Sequence, residues 1–344
     1  MVRSDRPVQA PPRVVGTTVV AVSGRFGDRY TVHGLDPATG GRRWEFEPHS
    51  HRLRVLAGDE ETVFVATAPP DDVDVPESAT ETFYALASTD GSIRWSVDLD
   101  GGRDAVVADG TVYVAGTKRI VAIETDGTRV WSRDVDTYQS ETLVRAGDTL
   151  AFVSEPERRQ PRVHGVDAAT GEGRWTFDGW RAFTTRTHDG RLFVGGERLA
   201  RLDPSSGTSV WTVDSPVARL LPGFGDNRWV DEWRTALSDA PVVDGTLYVG
   251  GLDAAAVSVD DGTVEWRHDP GLTLVSPVAA VRDNLLLHGS VDAEDRGRHL
   301  VCLDTATGEE RWTFAGRFRL TEPVADAERA YLAESRNGLL ALEV

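Results

Sequence analysis

Hydrophobic and polar positions alternate in short runs along the whole chain, and the alternation repeats in a fixed order. The clearest copy is "LDTATGEERWTF" at residues 303–314, where two apolar runs flank an Asp-x-x-Thr-Gly turn and the second run carries one tryptophan. Such runs, bounded by turn-forming residues, are typical of β-strands. Seven copies begin at Leu35, Leu86, Ile123, Val166, Leu202, Val257 and Leu303.

A second pattern precedes most of these copies. In "APVVDGTLYVGG", which begins at Ala240, two β-rich runs flank an Asp-Gly pair. This is the signal of a hairpin whose turn needs positive φ. The two patterns together give four short strands per repeat, and the repeat tryptophans recur every 36 to 55 residues. That spacing lies near the length of a propeller blade, roughly 40–50 residues, and predicts an all-β, single β-propeller of four-stranded antiparallel blades.

The repeats favour eight blades within one domain, residues 1–344. After Trp312 the chain supplies three more strands, and the N-terminal segment, residues 1–12, is expected to pair as the fourth and so close the last blade. Seven blades followed by an extra hairpin is the alternative. Two stretches interrupt the repeat pattern: an acidic insertion at residues 68–80 and an inter-blade insertion at residues 216–240.

The repeat tryptophans are predicted to be structural. A large flat ring with one N–H donor suits the seam between neighbouring blades, while the glycine before it makes the turn. The alternative is an array that binds a cofactor, but seven near-identical copies cannot all contact one ligand. The seven are Trp44, Trp95, Trp131, Trp175, Trp211, Trp266 and Trp312.

The repeat resembles the quinoprotein-type (PQQ-like) β-propeller repeat, with "LDTATGEERWTF" and "VDAATGEGRWTF" its best matches. One branch of that family contains quinone-dependent alcohol and glucose dehydrogenases. Another contains non-enzymatic propellers, such as the lipoprotein subunit of the outer-membrane barrel-assembly machine, and this chain is closest in size to that branch. The resemblance strongly supports the propeller fold but gives little support to quinone binding, because one fold hosts many functions.

The resemblance to the alcohol dehydrogenases implies a ring of adjacent cysteines over the quinone, and this chain departs from it. Its only cysteine is Cys302, in the apolar stretch "HLVCLD", which predicts a small core residue. No counterpart of their calcium ligands is found either. We therefore expect no cofactor, with PQQ possible but disfavoured, and a non-catalytic protein rather than an enzyme.

Charge narrows the range of partners. The formal net charge is −18, and Lys118 is the only lysine. Scattered acidic residues with so little lysine are typical of a halophilic protein, since such a surface stays hydrated in high salt; an acidic protein from a GC-rich genome is the alternative. Either interpretation argues against nucleic acid as a partner. No apolar run approaches the roughly 20 residues of a membrane helix.

The localisation stays open on the sequence alone. The N-terminus has neither an apolar signal core nor a lipidation cysteine. The sequence as it stands therefore indicates a cytoplasmic protein, and the cell surface or exterior becomes the alternative if an upstream signal was removed.

Two small clusters of possible metal ligands do not amount to a predicted site. His49 and His51 are two residues apart, a spacing that can chelate a metal, but no third ligand is fixed beside them. Asp98 and Asp100 lack the third acidic position of a calcium loop. We predict no metal site and no catalytic residue.

The loops that follow each tryptophan strand are the predicted recognition surface. Rigid scaffolds present binding groups on such loops, and arginine and aromatic residues are enriched there. In the longest loop, "RWVDEWRTAL" places two tryptophans four residues apart on a possible helical stripe. We expect a monomeric scaffold that binds a protein or peptide on this loop face; the alternative is an enzyme with a quinone or carbohydrate in the channel. The candidate residues are Arg52, Arg103, Tyr138, Trp180, Arg181, Phe183, Trp229, Trp233, Arg317, Phe318 and Arg319.

Overall fold

The computed structural model describes most of the chain, and every regular element in the described part is a β-strand. No helix there is long and apolar enough to cross a bilayer. The described residues are 12–24, 30–48, 52–68, 81–99, 101–135, 142–154, 161–214, 240–251, 253–272, 274–290, 299–316, 320–321, 324–325, 329–334 and 338–343.

The chain divides into two compact units, which are described one at a time. The first comprises residues 1–143, 169–171 and 321–343, and the second comprises residues 144–168 and 172–320 with residue 344. Both are built from antiparallel sheets whose strands follow one another in chain order, and the four-stranded sheets are called blades here. That one domain spans residues 1–344 stays a prediction.

The first unit contains blades 1 to 3 and a final sheet. Blade 1 has β1 (Arg13–Val15), β2 (Thr18–Ser23), β3 (Thr31–Leu35) and β4 (Arg42–Phe46). Blade 2 has β5 (Arg52–Gly58), β6 (Thr62–Ala68), β7 (Glu81–Ala87) and β8 (Ile93–Leu99). Blade 3 has β9 (Asp104–Ala108), β10 (Thr111–Ala115), β11 (Arg119–Glu124) and β12 (Arg129–Asp134). The final sheet has β29 (Val324–Ala325), β30 (Arg329–Glu334) and β31 (Gly338–Glu343).

The second unit contains blades 4 to 7. Blade 4 has β13 (Val144–Ala146), β14 (Thr149–Ser154), β15 (Arg162–Asp167) and β16 (Gly173–Phe177). Blade 5 has β17 (Ala182–His188), β18 (Arg191–Gly196), β19 (Arg198–Leu202) and β20 (Ser209–Asp214). Blade 6 has β21 (Val242–Val243), β22 (Thr246–Gly250), β23 (Ala254–Ser258) and β24 (Val264–His268). Blade 7 has β25 (Leu274–Val281), β26 (Asn284–Ser290), β27 (His299–Asp304) and β28 (Glu310–Ala315).

The prediction of eight four-stranded blades is wrong. The described residues form seven four-stranded blades, and the last sheet has three strands. The first described strand, β1, does not join that sheet, because the turn at Gly16 (φ 55°) folds β1 back onto β2, with Arg13 opposite Val20. The predicted closing segment, residues 1–12, lies outside the described residues except for its last position. Of the two predicted insertions, only the end positions 68 and 240 are described.

The two middle strands of each blade form the core. In blade 4, all six residues of β14 are buried, because this strand has a neighbouring strand on each edge and packing on both faces. The fourth strand is exposed at alternate positions, as in β20, where only Trp211 and Val213 are partly buried. The period-two pattern of the sequence is therefore strongest in the outer strand.

Five of the seven repeat tryptophans donate to the outer turn of the following blade within the same unit. The indole N–H of Trp175 in blade 4 donates to the carbonyl oxygen of Pro204 in blade 5 at 2.7 Å. A Cβ built on Gly207, in that same turn, would lie 2.6 Å from the Trp175 ring, so the indole lies flat on the glycine. Trp44, Trp95, Trp211 and Trp266 make the same bond to the carbonyls of Ser88, Thr125, Val259 and Thr305, at 2.6–3.1 Å.

The outer turn itself is held by an aspartate. Asp36 accepts hydrogen bonds from the backbone N–H groups of Ala38 and Thr39 at 3.0 and 2.8 Å, and from the Thr39 hydroxyl at 3.0 Å. Its other oxygen receives Arg43 Nη2 at 2.5 Å. The Thr39 N–H is the largest cause, and Arg43 the next, that lowers the pKa of Asp36 from 3.8 to about 2.

Glycine at position 207 should be needed for the indole as well as for the turn. Gly207 and Gly190 both have φ of 70°, but only Gly207 has a ring above it; a Cβ on Gly190 meets nothing within 4 Å. Gly190→Ala should cost about 1–2 kcal/mol of unfolding free energy for the left-handed backbone. Gly207→Ala should cost about 1–3 kcal/mol more, because the methyl group displaces Trp175.

Chemical denaturation of both variants measures this difference. Equal losses for Gly207→Ala and Gly190→Ala would contradict the indole's dependence on the glycine.

The aspartate turn should make the fold sensitive to acid. Because the folded pKa of Asp36 is lower than the unfolded one, its stabilisation is present above about pH 4 and is lost as the pH falls toward 2. The melting-temperature difference between the wild type and Asp36→Ala should therefore shrink over that window. Thermal melts at fixed ionic strength measure it, and Asp178→Asn, which removes an exposed acid outside the turns, is the control. A difference that stays constant to pH 2 would contradict this role.

Candidate functional site

Five of the predicted recognition residues fall in the described part of the chain. Arg52 begins β5, is half-buried, and lies opposite Ala68. Arg103 precedes β9 in the first unit. Trp180, Arg181 and Phe183 lie together in the second unit, at the start of β17. The remaining recognition candidates lie outside the described residues: Tyr138, Trp229, Trp233, Arg317, Phe318 and Arg319. Of the two clusters of possible metal ligands, His49, His51 and Asp100 also lie outside them.

Trp180, Arg181 and Phe183 form what we call the Trp180 surface. Trp180 lies in the short loop between β16 and β17, and its ring meets the Phe177 ring edge-on, with centroids 5.5 Å apart and planes at 80°. Trp180 also packs against a core cluster of blades 4 and 5 that includes Ala182. This packing fixes the ring while leaving it half-exposed, so the indole is a rigid contact group at the end of the blade.

The guanidinium of Arg181 lies between an aromatic ring and a carboxylate. Its Cζ is 5.4 Å from the centroid of Phe183, within the range of a cation–π contact. Glu197, in the turn between β18 and β19, accepts the Arg181 backbone N–H at 3.3 Å, and its other oxygen is 3.9 Å from Arg181 Nη1. The Glu197 N–H donates to the Arg181 carbonyl at 3.1 Å, so the two loops are also joined through their backbones.

A β-bulge sets the direction of these side chains. The pairing of β17 with β18 shifts between Ala182 and Thr184, which leaves Phe183 as the extra residue. A bulge of this kind turns successive side chains away from strict alternation. Phe183 is thereby half-exposed beside Arg181, although its neighbours Ala182 and Thr184 are both buried.

The first unit carries a related arrangement around Arg103. The backbone N–H of Arg103 donates to the Ala115 carbonyl at 2.8 Å, and its Nε donates to the Thr117 hydroxyl at 3.0 Å. The neighbouring N–H of Gly102 donates to Glu81 Oε2 at 3.3 Å. Lys118 follows Thr117 and is exposed. This is a polar, basic blade end, and the chain positions next to Arg103 (Gly102, Asp104 and Ala105) hold no aromatic residue, unlike those next to Arg181.

The sequence did not single out Glu197 or Thr117. Each lies in the turn between the second and third strands of its blade, 16 and 14 residues away from its arginine partner. A residue before the first strand reaches that turn only once the blade has folded. Alignment of the repeats could have shown that the two turns occupy equivalent positions in their blades. It could not have shown that each turn contacts an arginine.

Two serine–histidine pairs are also absent from the sequence-based predictions. Ser23 Oγ lies 2.7 Å from His33 Nε2 in blade 1, and Ser154 Oγ lies 2.8 Å from His164 Nε2 in blade 4. Both serines are buried, and the other ring nitrogen of His164 lies 3.1 Å from the Thr176 hydroxyl. These contacts satisfy polar groups across strands, and the shared sequence "VHG" is the signal that could have paired them.

Neither a metal centre nor a cysteine ring is assembled by the described residues. Within them, no group of three or more His, Cys, Asp or Glu side chains is placed to hold a metal ion. Cys302 is buried in β27, and its Sγ donates to Asn284 Oδ1 at 3.4 Å. Burial raises the pKa of its thiol from 9.0 to about 11. Since the sequence has no second cysteine, the cysteine ring that caps the quinone in the alcohol dehydrogenases does not fit this chain.

A family match agrees with the blades and their tryptophan turns. Three overlapping matches cover residues 28–176, 159–290 and 253–344. This chain belongs to the PQQ repeat family described as "Outer membrane protein assembly factor BamB". The predicted resemblance to the quinoprotein-type repeat is thereby confirmed, and with it the β-propeller class of the blades.

Among curated proteins, the chain is similar to the serine/threonine-protein kinase AfsK of Streptomyces griseus. The two are 28% identical over 171 residues, which is 47% of this chain and 20% of the kinase. The chain thus matches about a fifth of the length of that relative.

Solved structures with the same fold belong to proteins of different function. BamB from Moraxella catarrhalis has a TM-score of 0.66 and 15% identity, over 100% of this chain and 98% of that one. Sqt1 from Chaetomium thermophilum, bound to the N-terminus of ribosomal protein L10, has a TM-score of 0.67 and 11% identity, over 98% of this chain and 97% of that one. The quinohemoprotein alcohol dehydrogenase ADHIIG from Pseudomonas putida HK5 has a TM-score of 0.60 and 12% identity, over 96% of this chain and 70% of that one. At these identities the likeness shows the fold alone.

Proposed function

We propose that this chain is a non-catalytic scaffold that binds a protein or extended peptide through its blade-end loops. The observation that carries the proposal is the Trp180 surface, where a fixed indole, a guanidinium in cation–π contact and a half-exposed phenyl ring all lie at the start of β17. Tryptophan, arginine and other aromatic side chains, held rigidly and partly desolvated, are the groups that dominate the energy of protein interfaces.

The fold likenesses support a protein partner without naming one. The matched family is described as an outer membrane protein assembly factor, and one solved neighbour has the N-terminus of a ribosomal protein bound. Both statements concern those proteins. For this chain they support the view that a propeller of the same fold and length can serve binding rather than chemistry.

The alternative is a quinone- or carbohydrate-binding enzyme, and the dehydrogenase likeness favours it. Against the quinone form stands Cys302, which has no partner cysteine in the sequence. Titration of the protein with PQQ and calcium, followed by absorbance and thermal shift, separates the two functions. Saturable PQQ binding would favour the alternative.

Changing the Trp180 surface should weaken peptide binding while leaving the fold intact. A random-peptide display library is selected on the folded protein, and the affinity of the selected peptides is measured for Trp180→Ala and Trp180→Phe. Trp180→Ala should weaken binding by about 2 kcal/mol or more, as expected for a central aromatic contact. Trp180→Phe, which keeps an aromatic ring at the position, should retain part of the affinity.

Arg191→Ala is the matched control. Arg191 lies at the opposite end of β18 from the Glu197 turn and pairs with Asp260, so its loss removes a partly exposed arginine from the same blade but not from the Trp180 surface. Circular dichroism and melting temperature show that each variant is folded. Selected peptides that bind Trp180→Ala as tightly as the wild type would exclude this surface.

A further inference from the structure

We propose that Arg181 binds a side-chain carboxylate of the partner peptide, and that Glu197 occupies this arginine in the free protein. The inference rests on the proposed function, because it names the chemistry that the Trp180 surface recognises. It assigns a specificity-determining role to one arginine and a competing role to one glutamate.

The Arg181–Glu197 pair is looser than the arginine pairs of the outer turns. Arg181 Nη1 and Glu197 Oε1 are 3.9 Å apart, beyond hydrogen-bond distance. By contrast, Arg174 Nη2 is 2.5 Å from Asp167 Oδ2 in blade 4. The outer-turn arginines are therefore fully engaged as structural groups, whereas the terminal nitrogens of Arg181 attract a carboxylate without a formed hydrogen bond.

The guanidinium of Arg181 is held in place but keeps donors to spare. Its Cζ lies 5.4 Å from the centroid of the Phe183 ring, within cation–π range, and its side chain is 35% exposed. Its Nε is buried, so the donors that a carboxylate from solvent can reach are the two terminal nitrogens. A planar guanidinium can hold a carboxylate by two parallel hydrogen bonds, and Glu197 makes no such contact. A carboxylate arriving from solvent can therefore gain contacts that the internal pair lacks.

The position of Trp180 defines what lies beside that carboxylate. The indole occupies the position before Arg181 in the chain and is half-exposed, so an apolar side chain of the peptide has a surface to cover. The occupant that fits both groups is an extended segment with Asp or Glu beside an apolar or aromatic residue. Glu197 is 43% exposed, which leaves it room to move toward solvent when the carboxylate enters.

An acidic peptide must be selected by the nearby charge of Arg181, because the net charge of the chain does not attract it. The chain carries a formal charge of −18, so an acidic peptide is not drawn to it from a distance. Attraction begins only where Arg181 is close, and the charge of Glu197 opposes it there. Neutralising Glu197 should therefore tighten binding of an acidic peptide and leave a neutral peptide unchanged.

The test uses display-selected peptides on the full chain at one fixed ionic strength. Glu197→Gln keeps an oxygen that can accept the Arg181 backbone N–H but removes the charge; it should tighten acidic peptides by about fivefold, the size expected for one charge pair near 4 Å in water. Arg181→Ala should lose the preference for Asp or Glu over Asn or Gln. Arg181→Lys keeps the charge but not the planar fork and should recover only part of it. Asp260→Asn, which removes a carboxylate from the Arg191 pair, is the matched control and should change nothing.

The outcomes separate this inference from the function on which it rests. Peptides that depend on Trp180 but show no preference for Asp or Glu, or no gain with Glu197→Gln, would overturn the carboxylate exchange while the binding function stands. Failure to select any peptide on the folded protein would overturn both. Amidated peptides should bind as well as free acids; a loss on amidation would assign the site to a C-terminal carboxylate and contradict the inference.

Discussion

The contact on which the blades depend is the hydrogen bond from an indole N–H to a backbone carbonyl of the next blade. In the second unit, Trp175 donates to Pro204 and its ring lies on Gly207. The bond satisfies the one polar group of a large, half-buried ring, and the glycine allows the ring to lie flat. Because the same contact recurs from blade to blade within each unit, it sets the separation at which neighbouring sheets pack.

Other features follow from that contact. The turn that supplies the carbonyl must keep its shape, and an aspartate holds it by accepting successive backbone N–H groups, as Asp203 does in the turn beside Trp175 and Asp36 does in the corresponding turn of blade 1. The charge on Asp36 then recruits Arg43, which also donates to the Thr17 carbonyl and so covers the end of its blade. The recurrence of the turn and its tryptophan along this chain thus reflects a single structural requirement, the contact between neighbouring blades. The loops at the opposite end of each blade are not under that requirement.

Much of the fold could be predicted from sequence because these contacts are local in the repeat. The spacing of the tryptophans, the Asp-Gly hairpins and the Thr-Gly turns together predicted four-stranded blades and the family. The number of complete blades could not be predicted, because it depends on a fourth strand for the last sheet, and the described residues give that sheet three strands while β1 pairs with β2. The candidate site was predicted in part: Trp180, Arg181 and Phe183 were named, but Glu197 reaches Arg181 only through the folding of β17 onto β18. The bulge at Phe183 likewise has no signal in the residue pattern.

The acceptor of each indole is a backbone oxygen, supplied by residues as different as Ser88, Pro204 and Val259. A main-chain acceptor makes no demand on the side chain that carries it. A blade can therefore accept the tryptophan of any neighbour that keeps the turn and its glycine, whatever else the two sequences have become. Such blades can be duplicated or exchanged within a propeller, and their loops can diverge without disturbing the contact between neighbouring blades.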